Sequence, residues 1–113
     1  MEIKCNGILN DVLPEDFLEL GDGRIVRNLR DLVIALERMK EEDFRLHVYG
    51  EQNDFAEWVL EGYCDENLTK KIFAVRDKGK MIKLLRKVLN KEEGKRFEKG
   101  GKKDVLRKIS EMR

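Results

Sequence analysis

The side chains of this chain that could do chemistry are concentrated in one stretch, residues 44–58. That stretch holds the only His (His47), the only Trp (Trp58) and the only Gln, together with the pair Asn53 and Asp54. An imidazole titrates near neutral pH and serves as an acid, a base or a metal ligand, and a carboxylate can orient it. Asp54 follows His47 by seven residues across a glycine. We therefore expect His47, Asn53, Asp54 and Trp58 to form one candidate binding cluster.

A purely structural explanation of the same cluster stays open. Asn and Asp are common N-caps, so Asn53 or Asp54 can begin a helix. Phe55 and Trp58 are three residues apart, which is the spacing of an apolar helix face packed into a core. A single His beside them often donates a hydrogen bond to a backbone carbonyl. The burial of His47, Asp54 and Trp58 separates the two interpretations.

Nucleophiles that a His–Asp pair would activate are scarce. Thr69 and Ser110 are the only Thr and Ser, and neither lies in a strained-turn motif. Cys5 and Cys64 lie 59 positions apart without a CxxC motif, so we expect two reduced thiols, with a disulfide as the alternative. We predict no catalytic residues, no metal and no cofactor. An enzyme or metal site built on the His–Asp pair is kept as an alternative.

The order of residues in this region resembles a prokaryotic family of uncharacterised domains that is frequent in archaea. The resemblance covers roughly residues 17–72 and rests on a His followed by an Asn-Asp-Phe-x-x-Trp block and then Asp-x-x-Leu, here His47, 53–58 and 65–68. The family is described by sequence rather than by function, so the resemblance implies no activity. It does imply that His47 and the block at 53–58 act as a unit.

Helical periodicity predicts the elements that would position this cluster. Apolar residues recur at i, i+3, i+4 and i+7 after Asn28, and similar patterns begin at Asn53 or Asp54, Asp65, Lys80 and Asp104. Two short apolar runs flank Gly21-Asp22-Gly23 and predict a β-hairpin. Residues 44–49 favour a short extended or single-turn segment.

These elements predict a mainly α domain with a minor β component. We expect about five helices and a small N-terminal β-hairpin in one domain spanning 1–113. Three parts are expected within it: a β-containing segment over 1–27, a helical core over 28–92, and a basic, glycine-interrupted segment with a short helix over 93–113.

The formal net charge of +1 hides a division along the chain. Residues 1–68 carry a net charge of −10, and residues 69–113 carry +11. Such asymmetry favours an interaction module that meets itself or another protein through charged surfaces. Binding of nucleic acid by the basic third is the alternative. Its candidate residues lie on the helix predicted from residue 80: Lys80, Lys83, Arg86, Lys87 and Lys91.

Composition narrows the class of protein further. The longest apolar run, Leu32–Leu36, has five residues, whereas a membrane span needs about 20. The first seven residues lack the apolar core of a signal peptide. Charged residues make up 42% of the chain, and this excess of Lys, Glu and Arg is typical of thermophiles. We therefore predict a cytoplasmic binding or assembly module that does not contact a membrane.

Overall fold

Helices dominate the part of the chain that the structure describes. The computed structural model describes residues 7–99, with side chains through residue 94. Five α-helices lie within it: α1 (Leu29–Arg38), α2 (Glu41–His47), α3 (Asp54–Tyr63), α4 (Glu66–Ala74) and α5 (Lys78–Lys99). The other elements are a 3₁₀ turn (Pro14–Asp16) and four short strands, β1 (Leu18–Glu19), β2 (Ile25–Val26), β3 (Val48–Tyr49) and β4 (Gln52–Asn53). The predicted mainly α fold with minor β structure is confirmed.

The predicted N-terminal hairpin forms where the glycines indicated it. Strands β1 and β2 pair antiparallel, with Leu18 opposite Val26. Gly23 has a φ of +91°, a conformation that a side chain would strain. The carboxylate of Asp22 accepts a hydrogen bond of 3.0 Å from the backbone N–H of Arg24. The turn is therefore stabilised by its own residues, and it places Arg24 beside the end of α1.

Helix α2 corrects the expectation for residues 44–49. The prediction of an extended or single-turn segment is wrong for 44–47, because the helix begins at Glu41 and ends at His47. Glu41, Glu42 and Asp43 occupy its first turn, where carboxylates face unpaired N–H groups. Phe44 is buried and stacks on Phe55 at 5.9 Å between ring centroids. The contact between Phe44 and Phe55 of α3 therefore holds α2 in place. Helix α2 itself is too short for its sequence to show a clear helical period.

A tight hairpin follows α2 and turns the chain back. Strands β3 and β4 pair antiparallel with Val48 opposite Asn53, and Gly50 in the turn has a φ of +55°. The guanidinium of Arg76 donates a hydrogen bond of 2.6 Å to the Gly50 carbonyl. The end of α2 and the start of α3 are thereby held side by side.

Helix α5 is longer than the pattern predicted. It begins at Lys78, where the Asp77 carboxylate accepts a hydrogen bond from the Lys80 N–H, and it continues through Gly94 to Lys99. The predicted interruption at Gly94 is therefore wrong. One glycine costs a helix only about 1 kcal/mol, and the Lys, Glu and Arg around it are good helix formers. The short helix predicted from Asp104 lies outside the described residues.

The buried side chains form one hydrophobic core. Helix α1 packs against α5, and α3 packs against α4. The apolar face predicted for α5 is confirmed, since Met81, Leu85 and Leu89 are all buried. The largest fully buried apolar side chains of the rest of the core are Phe44, Phe55, Leu29, Leu32, Leu36, Ile72, Val26 and Val59. Burying each such side chain contributes about 1.5–3 kcal/mol.

Two ion pairs join the exposed edges of α1 and α5. Arg30 pairs with Glu93, and Glu37 pairs with Arg86. The paired residues are seven positions apart on each helix and in opposite order, so the two helices run antiparallel. Exposed pairs of this kind contribute about 0–1 kcal/mol each. Apolar contact, rather than charge, therefore holds α5 on α1.

Gly62 of α3 allows the segment before the β1–β2 hairpin to pack closely against this helix. A Cβ at Gly62 would lie 2.4 Å from Cγ1 of Val12, which is buried. The backbone N–H of Val12 donates a hydrogen bond of 2.8 Å to the carbonyl of Arg27. The missing side chain of Gly62 is what allows this close approach.

The expectation of reduced thiols is wrong for Cys64, which is disulfide-bonded. Cys64 ends α3 in the left-handed conformation, with a φ of 57°. Cys5 lies outside the described residues. No helix over residues 7–99 carries an apolar stretch long enough to cross a bilayer.

Tyr63 links folding to proton binding at high pH. Its hydroxyl donates a hydrogen bond of 2.8 Å to the Asn10 carbonyl, and its ring meets Trp58 edge-on. Burial raises the pKa of Tyr63 well above its ordinary value of 10.0 and outweighs the lowering by a hydrogen bond with the Leu29 backbone. The carboxylates of Asp11 and Asp31 make smaller contributions that also raise it. The unfolded chain therefore loses this proton at a lower pH than the folded chain does. Stability that is present below pH 10 is lost as the pH rises above it.

We expect Tyr63→Phe to reduce this pH dependence. At pH 7 the variant should be less stable than the wild type, because the hydrogen bond to Asn10 is lost. Between pH 9 and pH 11 the wild type should lose about 1 kcal/mol more than the variant. Urea denaturation at pH 7, 9 and 11 measures both differences. Parallel losses in the two proteins would contradict the assignment.

Candidate functional site

The structure divides the predicted cluster into two pairs with different surroundings. Asn53 and Trp58 are buried, with side-chain polar atoms bonded to the backbone. His47 and Asp54 remain partly exposed, at 20% and 29% of their side-chain surface, and bond to each other. The predicted cluster therefore divides into a directly bonded pair, His47 and Asp54, and two residues whose polar atoms are taken up by the backbone.

Asn53 is a structural residue. Its side-chain oxygen accepts a hydrogen bond of 3.0 Å from the Ala56 N–H and so caps α3. Its amide nitrogen donates a hydrogen bond of 3.1 Å to the carbonyl of Ile72 on α4. Both ends of a side chain that is 1% exposed are thus satisfied, as a buried amide requires.

Trp58 is also structural. Its indole N–H donates a hydrogen bond of 2.7 Å to the backbone carbonyl of Asp16. This bond ties the 3₁₀ turn over 14–16 to α3, which carries the Trp. The ring is buried and meets Tyr63 edge-on at 5.9 Å. Trp58 therefore joins the N-terminal segment to the helical core.

We expect Asn53→Ala to destabilise the protein more than removal of an ordinary cap. The variant loses the cap of α3 and one of the two donors to the Ile72 carbonyl, which keeps the Val75 N–H at 3.0 Å. Together these losses cost about 2 kcal/mol. Asn28→Ala is the matched control, because Asn28 caps α1 in the same way through the Asp31 N–H but is less buried, and its amide donates to the exposed Asp11 carboxylate at 2.6 Å rather than to a buried carbonyl. Its expected cost is about 1 kcal/mol.

Chemical denaturation of the two variants tests this difference. Asn53→Asp adds a third comparison, because it keeps the cap acceptor but cannot donate to Ile72 and buries a charge. Equal destabilisation by the alanine variants at 53 and 28 would show that the buried bond to Ile72 contributes no more than the exposed bond of Asn28 to Asp11.

His47 and Asp54 form an oriented dyad. His47 Nδ1 lies 3.0 Å from Asp54 Oδ2, and the Gln52 amide donates to the other carboxylate oxygen at 2.8 Å. An ionised carboxylate only accepts, so the hydrogen-bond pattern assigns the proton to Nδ1 and leaves the lone pair of neutral His47 on Nε2. The ring packs against Phe55 at 5.2 Å between centroids. The dyad thus presents one imidazole nitrogen in a fixed orientation.

An oriented imidazole could act as a base, but the described residues supply no nucleophile for it. The Thr69 hydroxyl donates to the Asp65 carbonyl within α4, and Cys64 is disulfide-bonded. Ser110 lies outside the described residues. Over the described part of the chain, no group of three or more His, Cys, Asp or Glu side chains is arranged to hold a metal ion.

His47 lies on the boundary between two clefts. One cleft, of about 270 Å³, is lined by Asp54 and Trp58 as well as by His47. Carboxylates dominate its lining and make it strongly acidic: Glu15, Asp16, Glu19, Asp54, Glu57 and Glu61. We call it the acidic cleft. The other cleft, of about 530 Å³, lies between the β1–β2 turn, the end of α1 and α2.

The five basic candidates on α5 are all exposed, but one of them, Arg86, differs from the other four in having an ion-pair partner. Arg86 pairs with Glu37 of α1. Lys80, Lys83, Lys87 and Lys91 have no carboxylate at ion-pair distance among the side chains of residues 7–94. At 100° per residue these four lysines fall within an arc of about 80° and span about 16 Å of the helix. We call this surface the lysine face.

The sequence pattern did not indicate the cations of the larger cleft. Arg38 ends α1, and Lys40 immediately precedes α2, so both lie at the junction of the two helices. Arg24 reaches the same cleft from the hairpin turn. Only the fold brings these three cations together, and no spacing along the chain signals it.

Comparison with protein-family models, curated proteins and solved structures found no match to this chain. The site is therefore interpreted from its own geometry.

We expect a double-mutant cycle to measure the dyad directly. His47→Ala, Asp54→Ala and the double variant should give a coupling energy of about 1 kcal/mol, because the pair is half-buried and directly bonded. Glu66 is exposed on α4, and combining Glu66→Ala with His47→Ala should give no coupling.

Thermal and urea unfolding supply the energies, and metal content is measured in parallel. Zero coupling between His47 and Asp54 would contradict the dyad. A stoichiometric metal that disappears with His47→Ala would show a metal site instead.

Proposed function

We propose that this chain is a binding and assembly module whose principal contact surface is the lysine face of α5. The observation that carries this proposal is the row of four exposed lysines, of which none has a carboxylate partner within the described side chains. Like charges at i, i+3 and i+4 on a helix repel each other modestly. An acidic partner would relieve that repulsion along the whole row.

The partner that we favour is the acidic surface of a second copy. The acidic cleft carries five carboxylates besides that of the dyad: Glu15, Asp16, Glu19, Glu57 and Glu61. Glu57 and Glu61 are exposed and lie one turn apart on α3, so they match the spacing of Lys83 and Lys87. The contact would pair two different surfaces of the chain, the lysine face of one copy and the acidic cleft of another.

Binding of nucleic acid is the competing use of the lysine face. Phosphates would neutralise the same four lysines, and affinity would fall with salt as counterions are released. The described part of the basic third offers Phe73, 46% exposed, as its exposed aromatic side chain, which is little for stacking on single strands. Charge complementarity within the chain favours assembly over this alternative.

Cellular location and source stay predictions. A cytoplasmic protein with a disulfide-bonded cysteine agrees with a hyperthermophilic host, where intracellular disulfides persist. The archaeal resemblance over 17–72 and the charge-rich composition favour the same kind of host. The His47–Asp54 dyad is not proposed as an enzyme, because no nucleophile accompanies it within the described residues.

We expect the wild-type protein to associate at low salt and to dissociate at high salt in sedimentation velocity. At about 20 mM salt the charges act over about 20 Å, and at about 500 mM over about 4 Å. The double variant Lys83→Glu with Lys87→Glu should stay monomeric at both. Glu57→Lys with Glu61→Lys should also stay monomeric, and mixing the two variants should restore association.

Lys70→Glu with Lys71→Glu is the matched control, because these exposed residues of α4 give the same change in net charge away from the lysine face. It should associate like the wild type. A wild-type protein that is monomeric at every salt and concentration would overturn assembly. Binding of a labelled duplex by that monomer, with a log–log salt slope of about −3 to −4, would assign the lysine face to nucleic acid instead.

A further inference from the structure

The larger cleft beside His47 has a lining of a different character from the acidic cleft. Its volume of about 530 Å³ falls in the range of small-molecule sites. Its walls come from the β1–β2 turn, the end of α1 and α2. The assembly proposed above uses the lysine face and the acidic cleft, and the acidic cleft shares His47 with this cleft but none of its cations.

Apolar side chains form the inner part of this cleft. Leu20 and Ala35 are buried and line its bottom, and Met39 is half-buried beside them. Leu46 lines the same cleft with 69% of its surface exposed. The cleft therefore presents apolar surface to water, and a ligand with an apolar body would cover it at a gain of about 25 cal/mol per Å².

Cations predominate among the polar groups of the lining. Arg24 pairs with Asp22 at 3.2 Å. Neither Arg38 nor Lys40 has a carboxylate at ion-pair distance between residues 7 and 94, although Asp43 also lines the cleft. The described lining thus has one positive charge in excess before His47 is counted.

A further cation lies at the edge of the cleft. The Lys78 ammonium donates a hydrogen bond of 2.6 Å to the carbonyl of Met39, which is a lining residue. It adds positive potential where the end of α1 meets α5. An anionic group placed between Arg38 and Lys40 would therefore meet cations on more than one side.

We propose that this cleft binds a small organic anion with an apolar body. Arg38 and Lys40 hold the anionic group, and Leu20, Met39 and Leu46 cover the body. His47 forms part of the wall, with Nδ1 engaged by Asp54. Its Nε2 is therefore the ring nitrogen left to hydrogen-bond a ligand.

Three probes that share one ring test the charge preference: benzoate, benzyl alcohol and benzylamine. Inorganic phosphate, which has charge but no apolar body, is the fourth. Titration of ¹⁵N-labelled protein, followed by amide shifts around the cleft, gives each dissociation constant. Benzoate should bind about tenfold more tightly than benzyl alcohol, because charged groups add strong hydrogen bonds. Benzylamine and inorganic phosphate should bind more weakly than benzoate.

Variants of exposed residues locate the binding without threatening the fold. Arg38→Gln with Lys40→Gln should remove the tenfold preference for benzoate over benzyl alcohol. Asp43→Asn should strengthen benzoate binding, because it removes the carboxylate that faces the ligand. Arg45→Gln is the matched control, since Arg45 is exposed on α2 outside this lining and its loss should change nothing.

Equal affinity for benzoate and benzyl alcohol would overturn the proposal and leave a merely apolar surface. A preference for benzoate that survives in the Arg38/Lys40 variant would overturn it as well. Shifts confined to α5 would place anion binding on the lysine face and not in the cleft. Wild-type assembly is measured separately by sedimentation, so failure here and failure of assembly are distinguishable.

Discussion

A buried amide is the constraint on which the arrangement of the site depends. Asn53 ends β4, caps α3 and reaches the Ile72 carbonyl on α4, so one side chain fixes three elements relative to one another. Both of its polar ends are satisfied, and a fully bonded buried group favours one geometry strongly. Asp54 and Gln52 are its neighbours in sequence. Their positions beside His47 therefore follow from the same anchor.

The fold keeps the opposite charges of the chain largely apart. Helix α5 uses its apolar side against α1 and leaves its lysines in water, and Arg86 is the member of the predicted basic set that contacts an acidic residue of the first half. The carboxylates of the acidic cleft gather at the turn over 14–16 and on α3. A net charge of +1 therefore describes neither surface. Attraction between the two halves is not what folds the protein.

Local signals explain which parts of the structure could be predicted. The caps Asn28, Asn53 and Asp65 and the hairpin glycines act over a few residues, so the sequence indicates them directly. Helix α2 depends on the contact of Phe44 with α3, which no local pattern contains. The spacing of His47 and Asp54 predicted their pairing, but whether each member of the cluster is covered depends on partners far along the chain. The cations of the larger cleft converge only in three dimensions.

The two ion pairs between α1 and α5 have a consequence for alignment. In one pair α1 supplies the cation, Arg30, to Glu93 of α5. In the other pair α1 supplies the anion, Glu37, to Arg86 of α5. A slide of α5 by two turns would set Arg30 against Arg86, or Glu37 against Glu93, depending on its direction. A slide of one turn, about 5.4 Å, would separate both pairs. The two ion pairs add little to stability, but they favour one register of α5 on α1. The apolar contacts alone would specify that register less strictly.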